Sequence, residues 1–315
     1  MKNCYIGFDT SNYTTSIAVC EDDGKVIANL KSLLPVADGE RGLRQSDALF
    51  AHVKNLPGMI RELEPLFQNY RVVGVGCSTR PRDAADSYMP CFLAGKNAAY
   101  AFAAGAGVPV KEFSHQSGHL MAALYSSGQS ELLFKAPFAA FHVSGGTTEV
   151  LYVEPKEDGF TVKIVGGTAD LNAGQAIDRV GVLMGFSFPA GRRMEELSKT
   201  ETDPLPPIRV SVKDGVCNLS GLENKAAELW EKTKDPAYVS RFVFAFVGKT
   251  LAKLTEYVDS LDPGIPILYA GGVMSNQFLQ ETLGKRKNTY FATPEFSSDN
   301  AAGIALLTRK SLLNR

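Results

Sequence analysis

The sequence predicts an α/β protein of two lobes, on the basis of its length, a three-strand pattern that occurs twice, and the alternation that follows each copy. The chain has 315 residues, which is more than one hydrophobic core usually organises. Hydrophobic residues make up 44% of the chain and charged residues 21%, close to the averages of globular proteins. This composition argues against a disordered chain and favours two folded lobes.

The three-strand pattern appears first near the N-terminus and again in the middle of the chain. In the first copy, strand-like segments at 5–8, 15–20 and 26–30 are separated by a hydroxyl-rich turn and then by an acidic turn that ends in glycine. The second copy has the same order over 138–165. Because both turn types and the strand order recur, a duplicated domain is favoured over two unrelated meanders.

Helices and strands alternate after each copy. Helices are predicted over 48–66, 93–104, 118–125, 173–184, 221–232, 237–261, 276–283 and 299–313, and strands over 71–77, 108–112 and 265–270. A meander followed by such alternation predicts an RNase H-like lobe. We therefore expect an N-terminal lobe over 1–113 and a C-terminal lobe over 114–298. The last helix, about 299–315, is free to pack back onto the first lobe.

Charge and cysteine content indicate which partners and which cellular compartment to expect. The formal net charge of −1 gives no overall attraction for nucleic acid, so an RNA substrate would need a local basic patch or a partner subunit. The five cysteines are odd in number and form no CxxC pair, which fits neither a disulfide framework nor a thiolate zinc site. With no signal-peptide pattern and no apolar run of about 20 residues, we expect a cytoplasmic protein without a membrane partner.

The first turn of each meander is a candidate phosphate cradle. The residues concerned are Ser144, Gly145 and Gly146 in the second copy and Asp9, Thr10 and Ser11 in the first. Glycine lets the backbone approach an anion closely, and the neighbouring Thr147 and Thr148 add hydroxyl groups. In a two-lobed fold the two hairpins would face each other across a cleft. A plain hairpin turn is the alternative for either one alone.

A third glycine-rich turn follows the predicted strand at 265–270. Gly271 and Gly272 lie at the carboxyl end of that strand and before a helix, where nucleotides commonly bind. Asn276 either contacts an adenine edge or caps the helix, and the cap is the more usual role. Asp178 either accepts hydrogen bonds from ribose hydroxyls or forms a local ion pair with Arg192 or Arg193.

Two of the four histidines suggest a metal site. His115 and His119 are four residues apart, so on a helix they share one face and can bind one ion. Capping or surface roles are the alternative. Asp299, at the start of the last helix, is the third candidate ligand, or else a carboxylate that complements the helix dipole. Two imidazoles and one carboxylate leave coordination positions open, which suits catalytic iron or zinc.

These segments together resemble the TsaD family (also called Gcp or YgjD) over nearly the whole chain. The motifs that carry the resemblance are Gly7 to Ser11, His115 to His119, Val143 to Thr148, Gly174 to Asp178, Pro189 to Gly191, Leu219 to Leu222, Ala270 to Asn276 and Ser298 to Ala302. The resemblance implies the sugar kinase/Hsp70/actin (ASKHA) fold with an interlobe nucleotide cleft. It also implies an acyltransferase that moves a threonylcarbamoyl group from threonylcarbamoyl-adenylate to N6 of adenosine in tRNA.

The resemblance further implies the ligands, their residues and the partners. One iron or zinc ion would be bound by His115, His119 and Asp299. ATP or the adenylate would be surrounded by His142, Val143, Ser144, Gly145, Gly146, Asp178, Gly191, Glu195 and Asn276. A TsaB-like homologue in a heterodimer, or a second copy in a homodimer, would be the protein partner, and tRNA would bind with the help of partner subunits.

Several positions depart from the family pattern. Asn12, Tyr13 and Thr14 stand where the family has Cys-Asp-Glu, Ser117 replaces a glutamate, and Thr147 replaces a histidine. A Gly-Pro-Gly-Leu loop is replaced by 79–83 and a longer insertion. Three interpretations stay open: a transferase that tolerates these changes, a paralogue that carbamoylates another acceptor, and a non-catalytic partner subunit.

Overall fold

A computed structural model describes residues 1–35, 43–84, 86–157, 159–297 and 301–313, without the side chains of Glu131 and Leu132. The chain forms two compact units. The first comprises Met1–Ser130, Pro155–Thr161 and Glu295–Arg315, and the second comprises Glu131–Glu154 and Val162–Pro294. The first unit therefore continues past residue 113, where the sequence placed the boundary, because the helix after that point packs within it. The C-terminal helix also belongs to the first unit.

The first unit is built on a five-stranded sheet. Its strands are β1 (Lys2–Thr10), β2 (Thr14–Glu21), β3 (Val26–Leu33), β4 (Tyr70–Arg80) and β5 (Val110–Ser114), in the order β3-β2-β1-β4-β5. β1 to β3 form the predicted antiparallel meander, while β4 pairs parallel with β1 and with β5. This arrangement places the carboxyl ends of β1, β4 and β5 at one edge of the sheet.

Helices cover both faces of this sheet. They are α1 (Gln45–Glu62), α2 (Phe92–Ala106), α3 (His115–Ser126) and α11 (Ala302–Leu313), with a short 3₁₀ helix at Glu64–Gln68. Side chains of β1 such as Ile6 and Phe8 are buried in the same core as Leu56 of α1 and Ala99 of α2. α11 lies directly against α3, since a Cβ added to Gly303 would be 1.8 Å from the Gly118 carbonyl oxygen. Only glycine allows two helices this close.

The second unit contains a seven-stranded sheet. Its strands are β6 (Phe138–Val143), β7 (Thr148–Lys156), β8 (Gly159–Thr168), β9 (Ser211–Lys213), β10 (Val216–Asn218), β11 (Ile267–Ala270) and β12 (Thr289–Phe291), in the order β12-β11-β6-β7-β8-β10-β9. β6 pairs antiparallel with β7 and parallel with β11, which pairs parallel with β12. The order β8-β7-β6-β11-β12 matches β3-β2-β1-β4-β5, as the duplication predicts.

The helices of the second unit complete its core. They are α4 (Ser130–Leu133), which begins in the first unit, α5 (Ala173–Leu183), α6 (Gly191–Ser198), α7 (Ser220–Thr233), α8 (Pro236–Leu261) and α9 (Gln277–Leu283); α10 (Pro294–Ser297) leads back to the first unit. α8 begins at Pro236 because Asp235 accepts hydrogen bonds from the N–H groups of Ala237 and Tyr238. α6 was not predicted, since the Pro189-Ala190-Gly191 sequence before it is typical of a loop.

The start of α3 is set by a capping side chain rather than by hydrophobic periodicity. α3 begins at His115 rather than at 118, because the Ser114 side chain accepts a hydrogen bond from Ser117 N–H and starts the helix earlier. In the described part of the chain, none of the helices combines the length and apolarity needed to cross a membrane.

Candidate functional site

The second unit contains a pocket of about 630 Å³, within the size range of small-molecule sites. It is lined by Gly145, Gly174, Ile177, Asp178, Pro189, Gly191, Arg192, Glu195, Phe244, Gly272, Val273, Ser275, Asn276 and Pro294. These residues come from the turn after β6, the helices α5 and α6, the middle of α8 and the turn after β11. The two glycine-containing turns among the three predicted binding turns therefore meet in one pocket.

The side chain of Ser144 stabilises the turn after β6 through hydrogen bonds to the backbone of the same turn. Ser144 Oγ accepts hydrogen bonds from the N–H groups of Gly146 at 3.2 Å and Thr147 at 3.1 Å. The Ser144 carbonyl accepts a further hydrogen bond from Gly174 N–H at 3.1 Å. A Cβ on Gly174 would lie 2.6 Å from the Gly145 nitrogen, so α5 reaches the turn only because residue 174 is glycine.

The N-terminus of α5 faces this turn. Asn172 and Gln175 form a capping box, and Ala173 N–H donates to Thr148 Oγ1 at 2.9 Å. The positive end of the helix dipole thus lies beside the glycine turn. Backbone N–H groups of a glycine turn and a helix N-terminus together form an arrangement that commonly binds phosphate.

Asp178 joins α5 to the start of α6. Its Oδ1 accepts a hydrogen bond from Ala190 N–H at 2.8 Å. Burial raises the pKa of Asp178, and hydrogen bonds from the Ala190 and Gly191 backbone oppose that rise. The suggested ion pair with Arg192 or Arg193 is wrong, because both guanidinium groups lie 3.6 Å from Glu196 on their own helix.

Glu195 and Asn276, two polar residues of the lining, are both hydrogen-bonded to α9. Glu195 Oε1 accepts a hydrogen bond from Gln277 N–H at 2.9 Å and lies 3.4 Å from Lys199 Nζ, so it connects α6 to the first residue of α9. Asn276 Oδ1 accepts a hydrogen bond from Leu279 N–H at 3.0 Å. The interpretation of Asn276 as a helix cap is therefore confirmed, and the residue also lines the pocket.

The pocket includes some of the predicted nucleotide-binding residues and omits others. Those in the lining are Gly145, Asp178, Gly191, Glu195, Gly272 and Asn276; those outside it are His142, Val143, Ser144 and Gly146. The second group precedes or follows Gly145 in the same strand and turn, and Val143 is fully buried. The sequence did not indicate Ile177 and Phe244, because apolar residues at helical spacing look the same whether they line a pocket or fill a core.

The predicted histidine pair is brought together in the first unit. His119 Nε2 lies 2.9 Å from His115 Nε2, on the first two turns of α3. This separation fits a hydrogen bond between the rings. It also fits two ligands of one ion, since nitrogens at about 2.0–2.1 Å from a metal are about 2.9–3.4 Å apart for right-angle to tetrahedral geometry.

The other nitrogen of His115 is held by a buried carboxylate. His115 Nδ1 lies 2.9 Å from Asp9 Oδ2, and Asp9, only 1% exposed, also accepts a hydrogen bond from the Ser78 hydroxyl. Because a carboxylate only accepts, His115 donates from Nδ1 to Asp9, and its Nε2 is turned toward His119. Carboxylate-histidine pairs of this kind orient metal ligands, so these donors fit a metal.

The proposed phosphate role of the first meander turn needs correction. Asp9, Thr10 and Ser11 are all buried. Asp9 is the partner of His115, Thr10 Oγ1 donates to the Cys91 carbonyl at 3.0 Å, and the Ser11 carbonyl accepts a hydrogen bond from His52 Nε2 at 2.7 Å. These groups serve the first unit's own packing rather than an exposed cradle.

Asp299, the third predicted ligand, lies outside the described residues. Among the residues that are described, no cluster of three His, Cys, Asp or Glu side chains forms a metal site. The assignment of His115, His119 and Asp299 as a ligand set therefore stays a prediction, supported by the histidine pair and its Asp9 partner.

Comparisons with known proteins agree with this architecture. A profile described as “TsaD: tRNA N6-adenosine threonylcarbamoyltransferase” matches residues 88–306. A tRNA N6-adenosine threonylcarbamoyltransferase of Streptococcus pneumoniae serotype 2 (strain D39 / NCTC 7466) is 30% identical over 321 residues, which cover 97% of this chain and 91% of the relative.

Two solved structures are similar in fold. HypF from T.kodakarensis has a TM-score of 0.62 at 14% identity, over 99% of this chain and 48% of HypF, so this chain spans about half of that protein. A ROK family glucokinase from Streptomyces griseus has a TM-score of 0.53 at 14% identity, over 98% of this chain and 99% of the glucokinase. The predicted ASKHA fold is confirmed. Together with the family match and the Streptococcus relative, these findings show that the chain belongs to the TsaD family of acyltransferases.

Proposed function

We propose that this chain transfers a threonylcarbamoyl group from threonylcarbamoyl-adenylate to N6 of adenosine in tRNA, with the help of one divalent iron or zinc ion. The activity is that named for its relatives. The observation that carries the proposal is the pocket of the second unit, in which a glycine turn, a helix N-terminus and polar side chains that include Asp178, Glu195 and Asn276 surround about 630 Å³. The similar glucokinase was solved with AMPPNP, which supports a nucleotide as the occupant.

Each part of the pocket suits one part of an adenylate. The close backbone of the Gly145 turn and the positive end of the α5 dipole suit the negatively charged phosphate. Asp178 and Glu195 are carboxylates that can accept hydrogen bonds from ribose hydroxyls. Asn276 uses its oxygen for the helix cap, which leaves its amide NH₂ group for an adenine acceptor. Phe244 supplies an apolar wall for the base.

The chemistry is a displacement at the carbamoyl carbon. The adenine N6 nitrogen attacks that carbon, the bond to the phosphate oxygen breaks with its electron pair leaving on AMP, and a proton is lost from N6. The protein holds the adenylate in position for attack by the acceptor and excludes water from the carbamoyl carbon. A metal ion held by His115, His119 and Asp299 would supply a Lewis acid for a carbonyl or carboxylate oxygen.

The test is direct product formation. Purified protein is incubated with ATP, bicarbonate, threonine, the adenylate-forming enzyme and unmodified tRNA, and the digested tRNA is analysed by mass spectrometry for threonylcarbamoyl-adenosine. Because the net charge is only −1, we propose that tRNA binding depends on a partner, either a TsaB-like homologue or a second copy of this chain. The assay is therefore run both with the purified chain and with the complex that the chain forms in cells, purified from a lysate. Absence of the nucleoside with both preparations would reject the transferase assignment.

A second candidate is a paralogue that carbamoylates another acceptor. It is favoured by the loss of acidic residues at Asn12 to Thr14, where Asn12 Oδ1 instead accepts a hydrogen bond from Gln45 Nε2 at 2.5 Å. The same assay separates the two: release of AMP from the adenylate without modified tRNA would favour the paralogue. We propose a cytoplasmic location, which is consistent with a tRNA-modifying enzyme.

A further inference from the structure

The first turn of α3 is fixed by the loop that follows β4. Ser114, the N-cap, accepts a hydrogen bond from Ser117 N–H at 3.1 Å. The N–H group one residue earlier, that of Gln116, donates to the Pro81 carbonyl at 3.0 Å. The loop therefore completes the cap of the helix that carries His115.

The carboxylate of Asp83, in the same loop, accepts hydrogen bonds from the hydroxyl groups of Ser114 and Ser117. Asp83 Oδ2 accepts hydrogen bonds from Ser114 Oγ at 2.7 Å and from Ser117 Oγ at 2.9 Å. Asp83 Oδ1 accepts a hydrogen bond from Arg80 Nε at 3.1 Å. Ser114 and Ser117 are buried, while the Asp83 side chain keeps 29% of its surface exposed. The negative charge thus lies at the positive end of α3, and Arg80 balances it.

This arrangement bears on Ser117, which replaces the glutamate of the family's His-x-Glu-Gly-His pattern. A glutamate at position 117 would lie three residues after the N-cap Ser114, where its side chain can form a capping box with Ser114. In this chain the helix has lost that carboxylate, and the loop that replaces the family's Gly-Pro-Gly-Leu segment brings one to the same turn.

We propose that Asp83 takes over the place of the missing glutamate and is a positioning residue for His115. Its two charge-assisted hydrogen bonds fix the rotation and start of α3. His115 is the first residue of that helix, so a loosened first turn would displace its ring relative to His119. Insofar as it concerns metal binding, this inference rests on the proposed function.

The test compares variants by Co²⁺ titration, in which visible absorption reports binding to the histidine pair. Asp83→Ser should weaken Co²⁺ binding about 10–100-fold, the loss expected when a group that supports a metal ligand is removed. Asp83→Ser combined with Ser117→Glu should recover binding to within about threefold of wild type, because the capping box restores the carboxylate. The control is Asp86→Ser, an exposed aspartate of the same loop, which should leave binding unchanged.

A second measurement keeps the role of Asp83 separate from the metal. The ¹⁵N shifts of the His115 ring should change in Asp83→Ser, return in the double variant and stay constant in Asp86→Ser. If wild type binds no Co²⁺, the metal proposal fails and the ring shifts alone decide the positioning role. The positioning role of Asp83 would be overturned if Asp83→Ser kept wild-type Co²⁺ affinity and unchanged ring shifts. It would also be overturned if a folded double variant recovered neither the affinity nor the ring shifts.

Discussion

His115 and Asp9 are 106 residues apart in the chain, yet their side chains lie within 2.9 Å, so a buried carboxylate sets which nitrogen of the histidine carries the proton. Asp9→Asn should therefore lower metal affinity about 10–100-fold without unfolding the protein. Metal content per chain after dialysis, measured by mass spectrometry, checks the expectation. Asp47→Asn on α1 is the control. Full metal content in Asp9→Asn would contradict the orienting role.

The contact between Gly174 and the Gly145 turn can be tested by adding one methyl group. In Gly174→Ala the new Cβ would meet the Gly145 backbone at 2.6 Å, which cannot yield as a side chain can. We expect a loss of about 1–3 kcal/mol in the free energy of unfolding and at least a tenfold weaker binding of AMPPNP by calorimetry.

Gly221→Ala provides the matched control for that change. Gly221 lies in α7, and a Cβ there would meet nothing within 4 Å. Alanine is the better helix former, so this variant should be neutral or more stable by up to about 1 kcal/mol. Equal stability of the two variants would show that the turn and α5 do not need their close approach.

Asp178 should confer a preference for ribose hydroxyls. Wild type is expected to bind ATP about tenfold or more tightly than 2′,3′-dideoxy-ATP, because the hydroxyls can donate to the Asp178 carboxylate. Asp178→Asn should lower that ratio about threefold or more, with Glu195 keeping part of the preference, while the protein stays folded, since the amide oxygen can still accept the Ala190 N–H. Calorimetric titration of both ligands gives the ratio. An unchanged preference in the variant would assign the ribose contact to another residue.

His52 should make the stability of the protein depend on pH. Burial lowers its pKa from the ordinary value of 6.5, so the folded state binds a proton less readily than the unfolded chain does. The stabilisation is complete above about pH 6.5 and is lost as pH falls from there through the lowered pKa. Between pH 7.5 and 5.5, the free energy of unfolding of wild type, measured with denaturant, should therefore fall more than that of His52→Gln. Parallel pH profiles for the two proteins would show that folding does not change the pKa of His52.

The sequence by itself determined the two meanders, the longer helices and the two chemical patterns that depend on spacing along the chain. Strand alternation and turn residues predicted both meanders, and the matching sheet orders follow from them. The pair His115 and His119 was predictable because residues four apart on a helix share a face. Asn276 was predictable as a cap because its role is set by its immediate neighbours.

Tertiary structure alone decided which distant groups meet. The sequence assigned Asp9 to a phosphate turn, but the parallel pairing of β1 with β4 and of β4 with β5 brings it to His115 instead. Asp83 reaches Ser117 in the same way, and Phe244 reaches the pocket of the second unit, through contacts with no signature in local periodicity. Hydrogen bonds and packing depend on distance in space, and only the folded sheet and its helices fix that distance for residues far apart in the chain.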